Sequence, residues 1–215
     1  MTAHTRSDCS IPYIFFDFGG VLAEEGFYQG LHVIARENGL DPAWFVPLAV
    51  ETILKTGYVL GKGTESEYWS ALRQQTGVDW SDDQLRETIL NHFVPRPAML
   101  QLLSVLAEDP VHLGLLSDQT DWLDELDARY GLYTFFDSVN NSYVTGLHKG
   151  QPACFELALK TVRAEAKDCL FIDDNPNNIR VAREVGLETI LFRDLSGFAA
   201  DFRRYCPQAV QSVFS

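Results

Sequence analysis

The stretch Ile11-Pro12-Tyr13-Ile14-Phe15-Phe16-Asp17-Phe18-Gly19-Gly20 sets an apolar run, Tyr13–Phe16, between a proline and an aspartate. A run that short, bounded by turn formers, reads as a strand buried on both faces. Pro12 stands at the entrance, where a missing N–H is tolerated, and Gly19-Gly20 supply the tight turn that follows. The segment therefore predicts a strand that delivers an acidic residue, Asp17, at its carboxyl end.

The same pattern recurs along the chain. His112–Leu116 precedes Ser117-Asp118, and Cys169–Ile172 precedes Asp173-Asp174. Thr189–Phe192 precedes Arg193-Asp194 more weakly, and a fifth strand is expected near Ser138–Asn140. Helical patterns lie between them. Asn175-Pro176 offers an N-cap and a first-turn proline, Ile179, Ala182 and Val185 recur at helical spacing, and Gly186 closes the segment. Alternation of strands and helices implies an α/β fold, a parallel sheet covered on both faces.

From about Glu24 to Arg96 the alternation stops. Helix starts appear at Asp41-Pro42, Thr64-x-x-Glu67 and Ser81-x-x-Gln84, the last two as capping boxes, with no convincing strand. Phe27, Leu31 and Ile34 share one face of a further helix, and Pro47 is expected to kink or end the helix it falls in. The expectation is a helical unit, 24–96, inserted into a core made of 1–23 and 97–215. The linkers are expected near Ala23–Phe27 and Val94–Pro97.

The 215 residues suffice for one full core and a small accessory unit. Hydrophobic residues make up 46% and charged residues 22%, an ordinary globular balance, and no apolar run approaches the roughly 20 residues of a membrane span. The polar stretch Met1 to Ser10 has no secretory pattern, so a cytoplasmic location is expected. A formal charge of −13 argues against nucleic acid or an anionic membrane as partner, since both reward clustered Lys and Arg. An anionic substrate would then need a local cation. Cys9, Cys154, Cys169 and Cys206 lie far apart without metal-ligand spacing and read as reduced packing thiols.

In open parallel sheets, ligands bind at the carboxyl ends of strands. Asp17, Ser117 and the Asp173-Asp174 pair all belong there. A lone Asp or Ser at such a place reads as a turn or cap residue, but two adjacent aspartates repel unless a cation or donors compensate. With Asp17 added, three carboxylates would suit a hard, oxygen-seeking ion such as Mg²⁺.

The segment Phe15-Phe16-Asp17-Phe18-Gly19-Gly20-Val21-Leu22 resembles the first motif of the haloacid dehalogenase (HAD) superfamily. Leu115-Leu116-Ser117-Asp118 resembles the second, Gly146-Leu147-His148-Lys149 the third, and Leu170-Phe171-Ile172-Asp173-Asp174-Asn175-Pro176-Asn177-Asn178-Ile179 the fourth. The order is the family's own. The resemblance implies a HAD-like Rossmannoid three-layer sheet with a small helical C1 cap. It points to a phosphatase-like branch similar to sugar-1-phosphate phosphatases and to epoxide hydrolase N-terminal domains.

It also implies roles. Asp17 would attack phosphorus and form an aspartyl-phosphate. Mg²⁺ would bind the Asp17 carboxylate, the Gly19 backbone carbonyl and Asp174, with Asp173 beside it or reaching it through water. Ser117, Asp118 and Lys149 would line the substrate site, with Ser117 and Lys149 holding the phosphoryl oxygens. The substrate would be a small phosphorylated metabolite, and the protein a monomer or homodimer. Gly150-Gln151-Pro152 departs from the Pro-x-Pro-like stretch the family places after its lysine, and His148 reads as a surface neighbour.

One departure matters more. HAD phosphatases usually carry a second Asp two residues after the nucleophile, which serves as acid and base, and here that position is Gly19. The favoured expectation is a phosphoric monoester hydrolase in which the leaving group needs less help or another group handles the proton. The alternatives are a metal-independent 2-haloacid dehalogenase and a low-turnover binding protein of the same fold. Dehalogenase relatives carry an aromatic residue at the place of Gly19. In the cap, Glu24, Glu25, Tyr28, Tyr58 and Trp69 are the residues able to face substrate, while Trp69, Trp44 and Trp80 are expected to pack in the core.

Overall fold

The computed structural model describes residues 9–214, so the reading of 1–8 lies outside the described residues. Tyr13–Phe16 forms β1, whose residues alternate between the two faces: Ile14 and Phe16 join one core and Phe15 the other. Four helices follow: α1 (Gly26–Glu37), α2 (Pro42–Thr56), α3 (Glu65–Thr76) and α4 (Asp82–Leu90). The chain then alternates through α5 (Pro97–Leu106), β2 (His112–Ser117), α6 (Trp122–Tyr130), β3 (Ser138–Asn141), the short α7 (Ser142–Thr145), α8 (Pro152–Val162), β4 (Cys169–Asp173), α9 (Pro176–Val185) and β5 (Glu188–Leu191). α10 (Leu195–Phe202) and α11 (Pro207–Phe214) complete it.

All strand pairs are parallel, in the order β3-β2-β1-β4-β5. β1 is central because it is apolar on both faces. Phe16 is level with Leu115 of β2 and Ile172 of β4, so Asp17, Ser117 and Asp173 emerge at one edge of the sheet. One face packs Phe15, Leu116, Phe171, Phe155 and Ile179 beneath α8 and α9. The other packs Ile14, Phe16, Leu115 and Ile172 with apolar residues of α5, α6, α10 and α11. The result is three layers, as the alternation predicts.

The chain leaves and re-enters this framework through two paired crossings. Glu24 N–H donates to Val94 O at 2.9 Å, Arg96 N–H donates to Leu22 O at 2.8 Å, and Ala23 bridges Pro95 in antiparallel fashion. The Arg96 guanidinium also donates to the carbonyls of Val21 and Ala23 and pairs with Glu24.

Both capping boxes form, with Thr64 and Ser81 accepting from Glu67 and Gln84 N–H groups. Pro47 does not end α2, which continues to Thr56 with the proline on its exposed side. Trp44 lies on the same exposed side and stays 48% accessible rather than packing in the core. Trp69 does pack as expected: it is fully buried and stacks on Trp122 of α6 with ring centroids 5.7 Å apart. Trp80 packs only partly buried against the same core.

Cysteine usage needs a further correction. Cys9 and Cys206 are joined in a disulfide across 197 residues. Sequence distance hides the proximity, which arises because the segment before β1 runs beside the α10–α11 turn, with Ser10 N–H donating to Tyr205 O at 2.8 Å. Cys154 and Cys169 are free and buried, as expected. Among the described residues no helix is long and apolar enough to cross a membrane.

Candidate active site

Asp17 leaves β1 with its backbone still in the sheet, its N–H donating to Ile172 O at 2.9 Å. Its carboxylate turns back to accept the Phe18 N–H at 2.7 Å and is 7% exposed. The turn that follows needs glycine at position 20. Gly20 has φ of +81°, and a β carbon there would lie 2.1 Å from Asp174 Oδ2. The absent side chain is what lets Asp174 come in beside the β1 turn.

β4 delivers the other two carboxylates in opposite directions. Asp173 is fully buried, accepts the Asn175 N–H at 2.7 Å and is held by the Asn178 amide at 3.2 Å. Asp174 points into the cavity. Oxygen atoms of Asp17, Asp173 and Asp174 all lie within 4.8 Å of one another, so the cluster can hold a metal ion.

Lys149 comes from the loop before α8 and is 2% exposed, so it is no surface residue. Its Nζ lies 2.6 Å from Asp17 Oδ1 and 2.8 Å from Asp173 Oδ2, above the Phe171 ring. Asp118 fixes that loop by accepting the Lys149 backbone N–H at 3.0 and 3.1 Å. Burial works against the lysine charge, but Asp17, Asp173 and Asp118 outweigh it and hold Lys149 above the usual lysine range. On Asp17 burial dominates: it pushes the carboxyl well above the usual aspartate range, with Lys149 opposing and Asp173 adding to the rise. Asp174 is raised by burial and then by Asp173.

These residues line one cavity of about 540 Å³. Asp17, Gly19, Ser117, Asp118, Lys149 and Asp174 are all at its wall, so the predicted set is brought together apart from Asp173, which sits behind it. The opposite wall comes from the inserted helices and is mostly apolar: Phe27, Val50, Ile53, Leu54 and Val59. Of the inserted residues expected to face substrate, only Glu25 and Tyr28 do. Glu24 is turned toward Arg96, Tyr58 hydroxyl donates to Asp121, and Trp69 is in the core. His148 accepts the Gly150 N–H on its Nδ1 at 3.1 Å and is not at the cavity wall.

Among the described residues Glu25, the residue before α1, has no basic side chain paired with it. Burial first, and then the nearby Asp174, raise its carboxyl to about 7, against the pull of Lys149 and the amides of Tyr28 and Phe27. Sequence reasoning missed Asn141 and Asn178. Asn141 ends β3, accepts the Gln119 N–H at 3.3 Å and donates to Thr120 O at 2.8 Å, which shapes the loop after Ser117. The signal for Asn178 was its place in the first turn of α9, where a side chain reaches back toward the strand end.

The sequence model of the haloacid dehalogenase-like hydrolases matches residues 11–186. Flavin mononucleotide hydrolase 1 of Arabidopsis thaliana is 25% identical over 199 residues, covering 89% of this chain and 76% of that protein. D-ribitol-5-phosphate phosphatase of Bacteroides thetaiotaomicron is 24% identical over 203 residues, covering 90% of this chain and 96% of that one. A HAD family enzyme from Bacteroides thetaiotaomicron, solved with magnesium and inorganic phosphate, superimposes with a TM-score of 0.69 at 23% identity. That superposition covers 87% of this chain and 98% of that one and reflects a shared fold. The motif order, the sheet that gathers Asp17, Lys149 and Asp174, and a family match across most of the chain lead to one assignment: the protein belongs to the haloacid dehalogenase-like hydrolases.

Proposed function

We propose that the protein is a Mg²⁺-dependent phosphatase that transfers the phosphoryl group of a small monoester to Asp17 and then to water. The observation that carries this reading is the joint placement of Asp17, Asp174 and Lys149 at one cavity wall. The donor set fits the ion: three carboxylates within 4.8 Å, all oxygen ligands, with Gly20 leaving room for Asp174. Asp17, Asp174 and the Gly19 carbonyl would hold it, with Asp173 behind. When bound, Mg²⁺ neutralises phosphoryl charge and orients the substrate.

The protein's own groups do the rest. Asp17 supplies the nucleophilic oxygen, kept in place by the Phe18 N–H. Lys149 supplies the local cation that an acidic chain needs to receive an anion, and Ser117 stands where a phosphoryl oxygen would be bound. Asp118 acts through the lysine loop, and Asp173 fixes Lys149 from beneath. Residues 24–96 serve as a cap on the core of 1–23 and 97–215, excluding water and selecting the organic part of the substrate through the apolar wall.

A 2-haloacid dehalogenase is the less favoured reading, because metal-free attack on carbon gives Asp174 nothing to do beside Asp17 and Asp173. A panel of phosphomonoesters and short 2-haloacids, assayed with Mg²⁺ and with chelator, separates the two. Phosphate release that chelator abolishes supports the phosphatase. Halide release that survives chelator, or no turnover of any phosphomonoester, refutes it.

A further inference from the structure

Displacement at phosphorus by Asp17 leaves an alkoxide that needs a proton, and Gly19 has no side chain to give one. The cavity wall carries six titratable side chains: Asp17, Glu25, Tyr28, Asp118, Lys149 and Asp174. Asp17 is the nucleophile. Lys149 is held by Asp17 and Asp173, and both Asp118 oxygens accept the Lys149 backbone N–H. Asp174 belongs to the carboxylate cluster, and Tyr28 stands at the rim, 47% exposed.

Glu25 remains, and its position is specific. A β carbon built on Gly19 would lie 2.9 Å from Glu25 Oε2 and 3.2 Å from the Phe93 ring. The Glu25 carboxyl therefore occupies the space a side chain at position 19 would fill, two residues beyond the nucleophile. A second glycine allows this. At Gly26 a β carbon would lie 2.5 Å from the Phe93 backbone and ring, so only glycine lets the start of α1 press against Phe93 and bring Glu25 to Gly19. The two glycines and Phe93 together define one carboxylate position at the mouth of the Asp17 site.

We propose that Glu25, reaching in from the inserted helices, is the proton donor to the leaving group and then the proton acceptor from water. The inference rests on the phosphatase reading of Asp17. In the first step an Asp17 oxygen forms a bond to phosphorus, the bond from phosphorus to the substrate oxygen breaks, and that oxygen takes the Glu25 proton to leave as an alcohol. In the second step a water oxygen attacks phosphorus and gives a proton to the Glu25 carboxylate. The bond between phosphorus and Asp17 breaks, and phosphate leaves with Asp17 and the Glu25 carboxyl restored. The net reaction is phosphomonoester plus water to alcohol plus phosphate.

The test compares wild type, Glu25→Gln and Glu25→Asp on two substrates under single-turnover conditions with Mg²⁺. One is the best alkyl phosphate of the panel; the other is p-nitrophenyl phosphate, whose leaving group departs without a proton. Glu25→Gln should lose about 10²- to 10⁴-fold in the first step on the alkyl ester. It should lose less than about 10-fold on the nitrophenyl ester, releasing nitrophenolate while phosphorylated enzyme accumulates. Glu25→Asp should recover part of the loss on the alkyl ester. Equal loss on both esters, or none on either, overturns the proposal while leaving the phosphatase reading intact. Absence of phosphate release by wild type refutes that reading and the proposal with it. Melting curves check that both variants fold; should Glu25→Gln fail to fold, the ratio of the two esters in Glu25→Asp decides in the same way.

Discussion

The Lys149 ammonium lies 2.6 Å from Asp17 Oδ1, and the side chains are 3% and 10% exposed. This one cation faces Asp17, Asp173 and Asp118, so the site holds more negative charge than it compensates. Removing the cation and removing one anion should therefore act oppositely. Lys149→Met should cost about 3–5 kcal/mol of stability, because it strands buried carboxylates. Asp17→Asn should raise stability by about 0.5–2 kcal/mol while abolishing turnover, the trade-off expected where function places like charges together. Denaturant unfolding of the metal-free proteins checks both.

That relationship also fixes the sign of a pH effect. A carboxyl raised in the folded state takes up protons more readily than in the unfolded chain, so its contribution is fully present below the ordinary value of 3.8 and is lost as pH rises through the folded value. Asp17 and Asp174 are both raised. Without metal, the stability advantage of Asp17→Asn should be largest near neutral pH and shrink as pH falls toward 3.8. An advantage that grows on acidification would contradict the charge assignment.

Mg²⁺ should stabilise the protein because the ion balances the clustered carboxylates. At a hundredfold excess over its Kd it should add about 2.7 kcal/mol, and raise Tm by about 5–10 °C for a chain of this size. Asp174→Asn should erase most of that shift in a thermal scan, and chelator should reverse it in wild type.

Gly20→Ala tests the close approach of the β1 turn to Asp174. The added β carbon would lie 2.1 Å from Asp174 Oδ2 on a backbone with φ of +81°. The expected outcome is about 1–2 kcal/mol of backbone strain and a reduced Mg²⁺-dependent Tm shift, read by the same scan.

The Cys9–Cys206 disulfide ties the segment before β1 to the turn before α11. Its reduction should lower stability by about 2–4 kcal/mol, since the closed loop is long. Thiol titration of the unfolded, unreduced protein should find two free thiols, Cys154 and Cys169.

The sheet was legible because its signal is local: a short apolar run followed by a polar strand end, as at Phe16-Asp17 and Ile172-Asp173. The helix starts at Thr64 and Ser81 were legible for the same reason, since a capping box lies within four residues. What escaped depends on neighbours distant in the chain. Cys9 meets Cys206 only because the two ends of the core run side by side. Trp44 and Pro47 depend on which side of α2 faces water, which the apolar composition of that helix does not reveal. Lys149 reads as a loop residue until the sheet places Asp17 and Asp173 beneath its loop. Glu25 reads as a helix-start residue, and only Gly19, Gly26 and Phe93 in space give it a place at the site.

The claim that Asp17 carries the phosphoryl group is tested most directly by mass spectrometry of enzyme quenched during turnover of its best phosphomonoester. The account predicts one added phosphoryl group on the peptide that contains Asp17, absent from Asp17→Asn and enriched in Glu25→Gln. A phosphoryl group on another residue, or turnover with no phosphorylated enzyme in either form, would contradict it.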